Sequence, residues 1–462
     1  MAIPKLHSFF VISSLACVAS AQVSLNHVGT VDLSSTANPA NAQYIGSNPG
    51  AIAWDGTNLF VAGFNNSNAA GNVGITTVSN ALTTPTFATS YGFIATPSFR
   101  GYSGLDLERT AGVLVAAYDD GASNTNGISA YAVAGGQLWT ATARGGSGIG
   151  IDPRFPVGSA SSGVAWTTFG SGRRAMQDLA GAAVYTTSNG MVVLTPQGTF
   201  WRDMAFDPTN GDIWLREGNN VIKGVRTGDN SVGALTVPFD PADADTVNQQ
   251  NIAFCRTPGG SIVVFNDRGS ATPNQDFFLA QKAMRADGTM QTIDFGTFVP
   301  AGNGGANYDY SYDAASNTLV ILDIFNRQAY VFDVVVPPYF PYGQGCPGSN
   351  SLVPVLGMSG AGTPASTVSF DFTNGVASSA AFVLIGFAEA NTPVFGSCSL
   401  LISPVLPVTI GPAILDGLGA GSTAIGLPAG TSGIGLNFQG VVIDAFSPLG
   451  FALSNGMRLD IP

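Results

Sequence analysis

A short pattern of apolar and polar positions recurs six times along the first two-thirds of the chain. Each instance reads large apolar, small, large apolar and then, in most cases, acidic. The instances are Ile52–Asp55, Leu105–Glu108, Val164–Thr167, Met204–Asp207, Ile252–Cys255 and Tyr310–Asp313. This alternation predicts strands, because successive side chains of a strand point to opposite faces.

Most instances continue through a Gly- or Asn-containing turn into a second apolar strand, as at Gly56–Asn58 before Leu59–Val61. The starts of the instances lie 53, 59, 40, 48 and 58 residues apart. Repeats of this length, each a small antiparallel meander, are typical of a β-propeller. The pattern predicts an all-β fold with six blades, and five or seven blades are also compatible with it. We expect Val23–Leu33 to close the ring against the last blade.

The small residue of each repeat is expected to face the narrow channel along the propeller axis. The residue just before each instance then faces the same side, at the channel mouth, and in three consecutive repeats it is Asp203, Asn251 and Asp309. Asp106 adds a carboxylate one step deeper, where the other repeats carry Ala or Ser. Oxygens of this kind are preferred by Ca²⁺ or Mg²⁺. These four residues are therefore the candidate site, with Asp203, Asn251 and Asp309 as metal ligands and Asp106 as a catalytic base or fourth ligand.

A structural interpretation competes with this hypothesis. Acids at the mouth of a polar, water-filled channel are often only solvated. Asp55, Asp207 and Asp313 enter the turn after the first strand of their repeats, where a carboxylate can accept nearby backbone N–H groups. We expect those three to be turn residues.

The repeat also carries a family resemblance. The stretches Met204–Ile222 and Tyr310–Asp333 resemble the repeats of NHL-type and gluconolactonase-like propellers. Lactonase-like propellers hold a divalent metal through a carboxylate, an Asn and an Asp at channel positions, so the resemblance implies the same role for Asp203, Asn251 and Asp309. The order of these residues does not otherwise follow the lactonase arrangement.

The composition changes sharply after residue 336. The run Val336–Gly343 is rich in Pro and aromatic residues, and it predicts a stiff, extended linker over 337–343. From Tyr339 onward there are no lysines, one arginine and five acids. Short apolar segments between Gly, Pro and Ser turns predict a small β-sandwich over 344–462. The propeller is thus expected over 22–336.

Three cysteines follow the N-terminal segment: Cys255, Cys346 and Cys398. In an oxidising compartment two of them are expected to pair. We predict a disulfide between Cys346 and Cys398, which share the C-terminal region, and a buried free thiol at Cys255.

The C-terminal region has a resemblance of its own. The motifs Gly345–Asn350, Cys398–Pro404, Phe438–Gln439 with Ile443–Asp444, and Ser454–Met457 resemble a module at the ends of large secreted proteins of planctomycete-type bacteria. That resemblance implies a display or attachment role and places the paired cysteines at the same two positions.

Residues 1–21 have the form of an export signal. Lys5 precedes the short apolar run Phe9–Val18, and Ala19–Ala21 has the small-x-small form of a cleavage site before Gln22. An alternative makes Cys17 a lipoprotein acceptor. The run is too short for a permanent membrane span, so we expect a protein that is secreted or held at the cell surface, with no membrane span.

Composition then excludes several kinds of chemistry. Only 10% of the 462 residues are charged, and the net charge is −12 with three lysines, which argues against nucleic acid and anionic membranes as partners. The two histidines are His7 and His27, so neither a Ser-His-Asp triad nor a His-rich zinc site can form after cleavage. No organic cofactor is indicated.

The leading hypothesis is a monomeric, secreted binding or interaction platform with a C-terminal display or attachment module. Its ligand would be a carbohydrate, a cell-surface component or a small molecule. The alternative is a divalent-metal-dependent, lactonase-like hydrolase that uses the channel carboxylates. A third hypothesis is glycan cleavage by an acid pair without metal.

Overall fold

The computed structural model describes most of the chain after residue 21. The described ranges are 22–34, 48–64, 71–88, 91–96, 101–119, 127–142, 146–154, 162–168, 173–178, 201–217, 220–228, 231–239, 251–257, 259–266, 277–286, 288–301, 307–324, 326–349, 351–395, 398–403, 406 and 408–461. The export signal predicted over 1–21 lies outside them. Contacts divide the chain into two compact units, Val23–Val336 and a second unit that contains Pro337–Pro462.

The first unit consists of consecutive antiparallel meanders, and the first strand of each lies next to the first strands of two others. Six such strands among the described residues form a closed ring, which is the arrangement of a β-propeller. They are β2 (Asn48–Trp54), β7 (Gly101–Glu108), β11 (Gly146–Asp152), β14 (Trp201–Phe206), β18 (Ile252–Thr257) and β23 (Asn307–Asp313).

The outer strands complete each blade. Phe64 in the first blade and Gly101 in the second also pair as neighbouring strand residues. In the first three blades the outer strands are β3 (Leu59–Phe64), β4 (Gly71–Ser79), β5 (Thr86–Phe87) and β6 (Tyr91–Thr96), then β8 (Val113–Asp119), β9 (Gly127–Ala132) and β10 (Gln137–Thr142), then β12 (Gly163–Thr168) and β13 (Arg173–Asp178). In the last three they are β15 (Ile213–Glu217), β16 (Asn220–Gly228) and β17 (Ser231–Phe239), then β19 (Gly260–Asn266), β20 (Gln281–Arg285) and β21 (Met290–Gln291), then β24 (Thr318–Asp323) and β25 (Gln328–Val335). A short helix, α1 (Phe277–Ala280), precedes β20.

The N-terminal strand β1 (Val23–Asp32) pairs antiparallel with β25, from Ser24 opposite Val335 to Asp32 opposite Gln328. Strand β22 (Ile293–Asp294) pairs with the start of β1 in parallel. Val23, Leu25 and Val31 are fully buried there. The prediction that this segment closes the ring against the last blade is confirmed.

The sequence pattern predicted the wrong ring strand for the third blade. Val164–Thr167 lies in β12, the second strand of its blade, while the ring strand is β11. Within β11 the run Ile149–Asp152 has the same pattern with Gly as its small residue. A Cβ added at Gly150 would lie 3.0 Å from Cγ of Met204 in the next blade, so this close approach favours glycine.

The described residues of the second unit form ten strands. They are β26 (Tyr339–Tyr342), β27 (Val355–Gly360), β28 (Thr367–Thr373), β29 (Ala380–Gly386), β30 (Ala388–Phe395), β31 (Cys398–Ser403), β32 (Thr409–Ile414), β33 (Gly421–Gly426), β34 (Gly435–Ile443) and β35 (Phe451–Asp460). A five-stranded sheet, β26-β35-β34-β29-β32, and a three-stranded sheet, β27-β28-β33, share one hydrophobic core. This shared core is compatible with the predicted β-sandwich.

The structure also bears on two predictions, the pairing of the cysteines and the linker over 337–343. Cys346 and Cys398 form the predicted disulfide, and Cys255 is the buried free cysteine of the first unit. The segment predicted as a linker, 337–343, contains β26, which pairs with β35 from Tyr339 opposite Leu459 to Tyr342 opposite Gly456. This stretch is extended, as expected, but it is a sheet strand and not a free linker.

The single helix among the described residues is α1, which has four residues. No described helix is therefore long and apolar enough to cross a membrane.

Candidate functional site

A cavity of about 260 Å³ lies where the ring strands meet. Three of the four predicted site residues line it: Asp106 from β7, Asp203 from β14 and Asp309 from β23. Asn251, just before β18, touches one of them. The structure brings these residues together, although their positions span more than 200 residues of the sequence.

Asp309 is buried and accepts three hydrogen bonds. The backbone N–H of Ile52, in the first blade, donates to Oδ2 at 2.7 Å. The backbone N–H of Tyr310 and the Asn251 side-chain amide donate to Oδ1, both at 2.9 Å. Asn251 is itself buried, and its backbone N–H donates to Oδ1 of Asn266 at 3.2 Å. The sequence pattern placed Asn251 and Asp309 at the mouth of the channel. In the structure both are buried, because neighbouring strands cover them.

Asp203 and Asp106 repeat this arrangement on other blades. Asp203 accepts the N–H of Met204 at 2.8 Å and that of Ile252, in the next blade, at 2.9 Å. Asp106 accepts the N–H of Leu107 at 2.8 Å and that of Ile151, also in the next blade, at 2.6 Å. Each carboxylate thus binds its own strand with one oxygen and the following blade with the other. We call Asp106, Asp203 and Asp309 the axial carboxylates.

Asp106 lies one step further along its strand than the other two, as the repeat predicted. Asp203 and Asp309 accept from the first residue of the next repeat, Ile252 or Ile52, whereas Asp106 accepts from the third, Ile151. In the sixth blade the equivalent position is Ser311, whose Oγ accepts the N–H of Trp54 at 3.0 Å. In the second blade Gly104 has no side chain to bridge the blades, and Asp106 provides the contact instead.

Electrostatics at the axis favour the protonated acids. Burial raises the pKa of Asp106 to about 6 and that of Asp309 to about 7, although the N–H donors lower both values in part. Burial, and then the nearby Asp309 carboxyl, raise the pKa of Asp203 well above its usual value. The three groups therefore hold protons at a pH where ordinary aspartates are ionised.

A divalent metal site requires side-chain oxygens that are free to bind the ion. A Ca²⁺ ion takes six to eight oxygen ligands at about 2.3–2.6 Å. Here both oxygens of every axial carboxylate already accept backbone N–H groups, and the Asn251 amide donates to Asp309. Among the described residues, no three Asp, Glu, His or Cys side chains are grouped to hold a metal ion. The residues do not fit a divalent cation.

The acids at the strand ends have the expected turn geometry. Asp55 accepts the N–H of Thr57 and of Asn58, and Asp207 accepts that of Thr209. Asp313 accepts from Ser316 and pairs with Arg109 at 2.5 Å.

Two features of the structure were not predicted from the sequence. Asp152 and Arg226 form a buried ion pair at 2.7 Å between the third and fourth blades. They lie 74 residues apart, and the acid belongs to the run Ile149–Asp152, which the sequence pattern did not assign to a ring strand. A second cavity adjoins β1 and is described below.

No family model matches the chain, and no curated protein is similar to it in sequence. Two solved structures are distantly similar. The β-propeller domain of Cps50 (Swd1) from Myceliophteria thermophila has 9% identity and a TM-score of 0.40, with 63% of this chain and 97% of that chain covered. Raptor from Chaetomium thermophilum has 9% identity and a TM-score of 0.34, with 69% of this chain and 30% of that chain covered. The ring of strands described above carries the propeller assignment.

Proposed function

We propose that this protein is a secreted binding protein in which a rigid propeller serves as the platform. The observation that carries the proposal is the hydrogen bonding of the axial carboxylates. A carboxylate that acts as a base or a metal ligand must direct an oxygen at substrate or ion. The axial carboxylates instead direct both oxygens at backbone N–H groups of two blades, which supports a structural role.

A turnover assay tests this proposal against the hydrolase alternative. The secreted protein is incubated with a panel of lactones and esters, with and without Ca²⁺ or Mn²⁺. We expect no hydrolysis above the buffer rate in either case. Metal-dependent hydrolysis that disappears in Asp203→Asn would overturn the proposal and restore the lactonase-like function.

The C-terminal unit is proposed to attach the protein at the cell surface. Leu418 and Phe446 are 87% and 88% exposed. Both side chains project from turns held by acids: Asp416 accepts the N–H of Leu418 at 2.8 Å, and Asp444 accepts that of Phe446 at 3.1 Å. Fixed turns that expose large apolar side chains are typical of a contact surface.

The two turns lie at the same end of the five-stranded sheet. Strands β32 and β34 both run antiparallel to β29, which lies between them, so their carboxyl ends are two strand spacings or roughly 10 Å apart. The last residues of these strands, Ile414 and Ile443, are 71% and 44% exposed. We call Ile414, Leu418, Ile443 and Phe446 the apolar end.

Fractionation of the producing cells tests the attachment role. The wild-type protein is expected with the cell envelope, and a Leu418→Ser/Phe446→Ser variant in the medium. A Leu138→Ser/Val237→Ser variant removes exposed apolar side chains of the propeller and serves as the matched control. Equal retention of all three proteins would contradict the role. N-terminal sequencing of the mature protein tests secretion, with Gln22 expected as the first residue. The NHL-type repeat and the planctomycete-type module stay predictions.

A further inference from the structure

A second cavity of about 650 Å³ lies beside β1, in the last blade of the ring. Small-molecule sites in proteins occupy about 300–1,000 Å³. The cavity shares no lining residue with the axial cavity. Its walls are formed by β1, by the segment 295–301 and by β25, and they include Asn26, His27, Thr30, Thr297, Phe298 and Tyr330.

The backbone of β1 is irregular at this cavity. The pairing with β25 shifts register between His27 and Gly29, so Val28 is an extra residue in the ladder. Bulges of this kind redirect side chains and recur next to functional sites. The His27 ring lies 4.6 Å from the ring of Phe298 and 5.6 Å from that of Phe332, measured between centroids. An exposed imidazole is thus supported from behind by two phenylalanines.

Hydrogen bonds hold the wall formed by the segment 295–301. The N–H of Gly296 donates to the carboxylate of Asp294 at 2.8 Å, and the N–H of Ala301 donates to the Tyr330 hydroxyl at 2.9 Å. Between them the N–H of Phe298 donates to the carbonyl oxygen of Phe295 at 3.1 Å. A wall fixed before the ligand arrives reduces the ordering cost of binding.

The described lining residues carry no formal charge at neutral pH. They supply aromatic rings, one amide from Asn26, and hydroxyls from Thr30 and Thr297. Partial burial lowers the pKa of His27 below its usual value, so its ring is neutral at pH 7. None of these lining side chains offers a counter-charge to a charged ligand, and the nearby Asp294 carboxylate, which is not a lining group, accepts the Gly296 N–H. A sugar ring has an apolar C–H face and a rim of neutral hydroxyls.

We propose that this cavity binds a neutral carbohydrate, with the sugar face against His27 and its hydroxyls bonded to Asn26 and Thr297. The inference rests on the proposed binding function and adds a site and a ligand class to it. It requires no group of the axial cavity.

Nuclear magnetic resonance of the histidine ring tests this proposal directly. His7 and His27 are the only histidines in the chain, so a spectrum of protein with labelled histidine contains signals from at most two imidazole rings. A His27→Gln variant assigns them. The probes are the neutral disaccharides cellobiose, lactose, maltose and N,N′-diacetylchitobiose, with glycerol as a polyol that lacks a sugar ring.

We expect at least one disaccharide to shift the His27 signal saturably, and glycerol to leave it unchanged. Asn26→Ala and Thr297→Ala are each expected to weaken that binding about tenfold, through the loss of one hydrogen bond to the sugar. Thr84→Ala, an exposed threonine of the first blade, is the matched control and should bind as the wild type does.

Two outcomes would overturn the inference. If a disaccharide binds, as seen by calorimetry, but leaves the His27 signal unchanged, carbohydrate binding lies elsewhere on the protein. If none of the four disaccharides binds, the cavity is not a site for neutral sugars. In neither case does the proposed binding function fall, because it is judged separately by the turnover assay.

Discussion

The axial carboxylates of the propeller and two turn acids of the C-terminal unit, Asp416 and Asp444, lie in opposite electrostatic environments. In the propeller, the axial carboxylates are covered by neighbouring blades, and burial raises their pKa values. In the C-terminal unit, the N–H groups of Ala420 and Leu418 lower the pKa of Asp416. Burial acts to raise the pKa of Asp444, but hydrogen bonds from Ser349, Phe446 and Ser447 outweigh it and lower the pKa.

The difference follows from where the donors come from. Asp416 binds donors two and four residues further along its own turn. Asp203 and Asp309 bind donors 49 and 257 residues away, on the neighbouring blade. Acids in local turns fix the shape of the turn, whereas acids that reach the next blade hold the ring together.

Removal of the disulfide is expected to have the largest effect, and only on the C-terminal unit. Reduction, or a Cys346→Ser/Cys398→Ser variant, should lower its free energy of unfolding by about 4 kcal/mol, from the loop entropy of a 52-residue separation. Hydrogen exchange measured by mass spectrometry should show the loss over 337–461.

All five tryptophans lie in the first unit, so their fluorescence reports on the propeller alone. Its unfolding transition should stay unchanged on reduction. A parallel loss in both units would show that the two do not unfold separately.

Asp309→Ala is expected to have the next largest effect, on the propeller. The change leaves three buried donors without an acceptor, at about 1–3 kcal/mol each, and relief of the buried acid offsets part of this. We expect a net loss of about 3 kcal/mol by denaturant unfolding followed through tryptophan fluorescence.

Asp55→Ala is the matched control, since Asp55 also accepts three hydrogen bonds, but from its own half-buried turn. It should cost about 1 kcal/mol. Equal losses in the two variants would break the distinction between buried and local acids.

The pH dependence of stability should have opposite signs in the two units. Unfolded aspartates titrate at about 4. In the propeller the folded pKa values are raised, so between that pH and about 7 the folded state holds more protons than the unfolded state. Its free energy of unfolding should therefore decrease as the pH rises through this window.

In the C-terminal unit the pKa values of Asp416 and Asp444 are lowered, so their stabilisation is present above pH 4. It is lost as the pH falls further. Denaturant unfolding between pH 3 and pH 8, followed by tryptophan fluorescence and by hydrogen exchange, measures both slopes. Slopes of the same sign would contradict the comparison.

Calcium is expected to have the smallest effect. Because the axial oxygens are occupied by backbone donors, millimolar Ca²⁺ or Mn²⁺ should leave the melting temperature of the propeller unchanged. A ligand that binds the folded state raises that temperature, so a clear increase that disappears in Asp203→Asn would restore the metal hypothesis.

The repeat pattern predicted much of this propeller because strand alternation and small axial residues are local in sequence. It failed in the third blade, where Val164–Thr167 fits the pattern but Ile149–Asp152 forms the ring strand. Position 150 favours glycine because Met204 of the next blade lies close to it. The residues next to Gly150 in the sequence do not reveal this contact.

The candidate site shows the same limit. Spacing predicted that Asp106, Asp203 and Asp309 converge. It could not show that backbone N–H groups of Ile151, Ile252 and Ile52 occupy their oxygens, because every residue other than proline carries such a donor. The residue types alone therefore suggested metal binding and base catalysis, whereas the hydrogen bonds of the folded protein support a structural role.

A titration of the aspartate side-chain carboxyls by carbon-13 nuclear magnetic resonance, with and without Ca²⁺, tests the central claim most directly. If the axial carboxylates hold the blades together, the signals of Asp106 and Asp309 titrate near pH 6 and pH 7, that of Asp203 titrates well above the usual range, and Ca²⁺ moves none of them. Ordinary or lowered pKa values, with signals that shift as Ca²⁺ is added, would contradict the account.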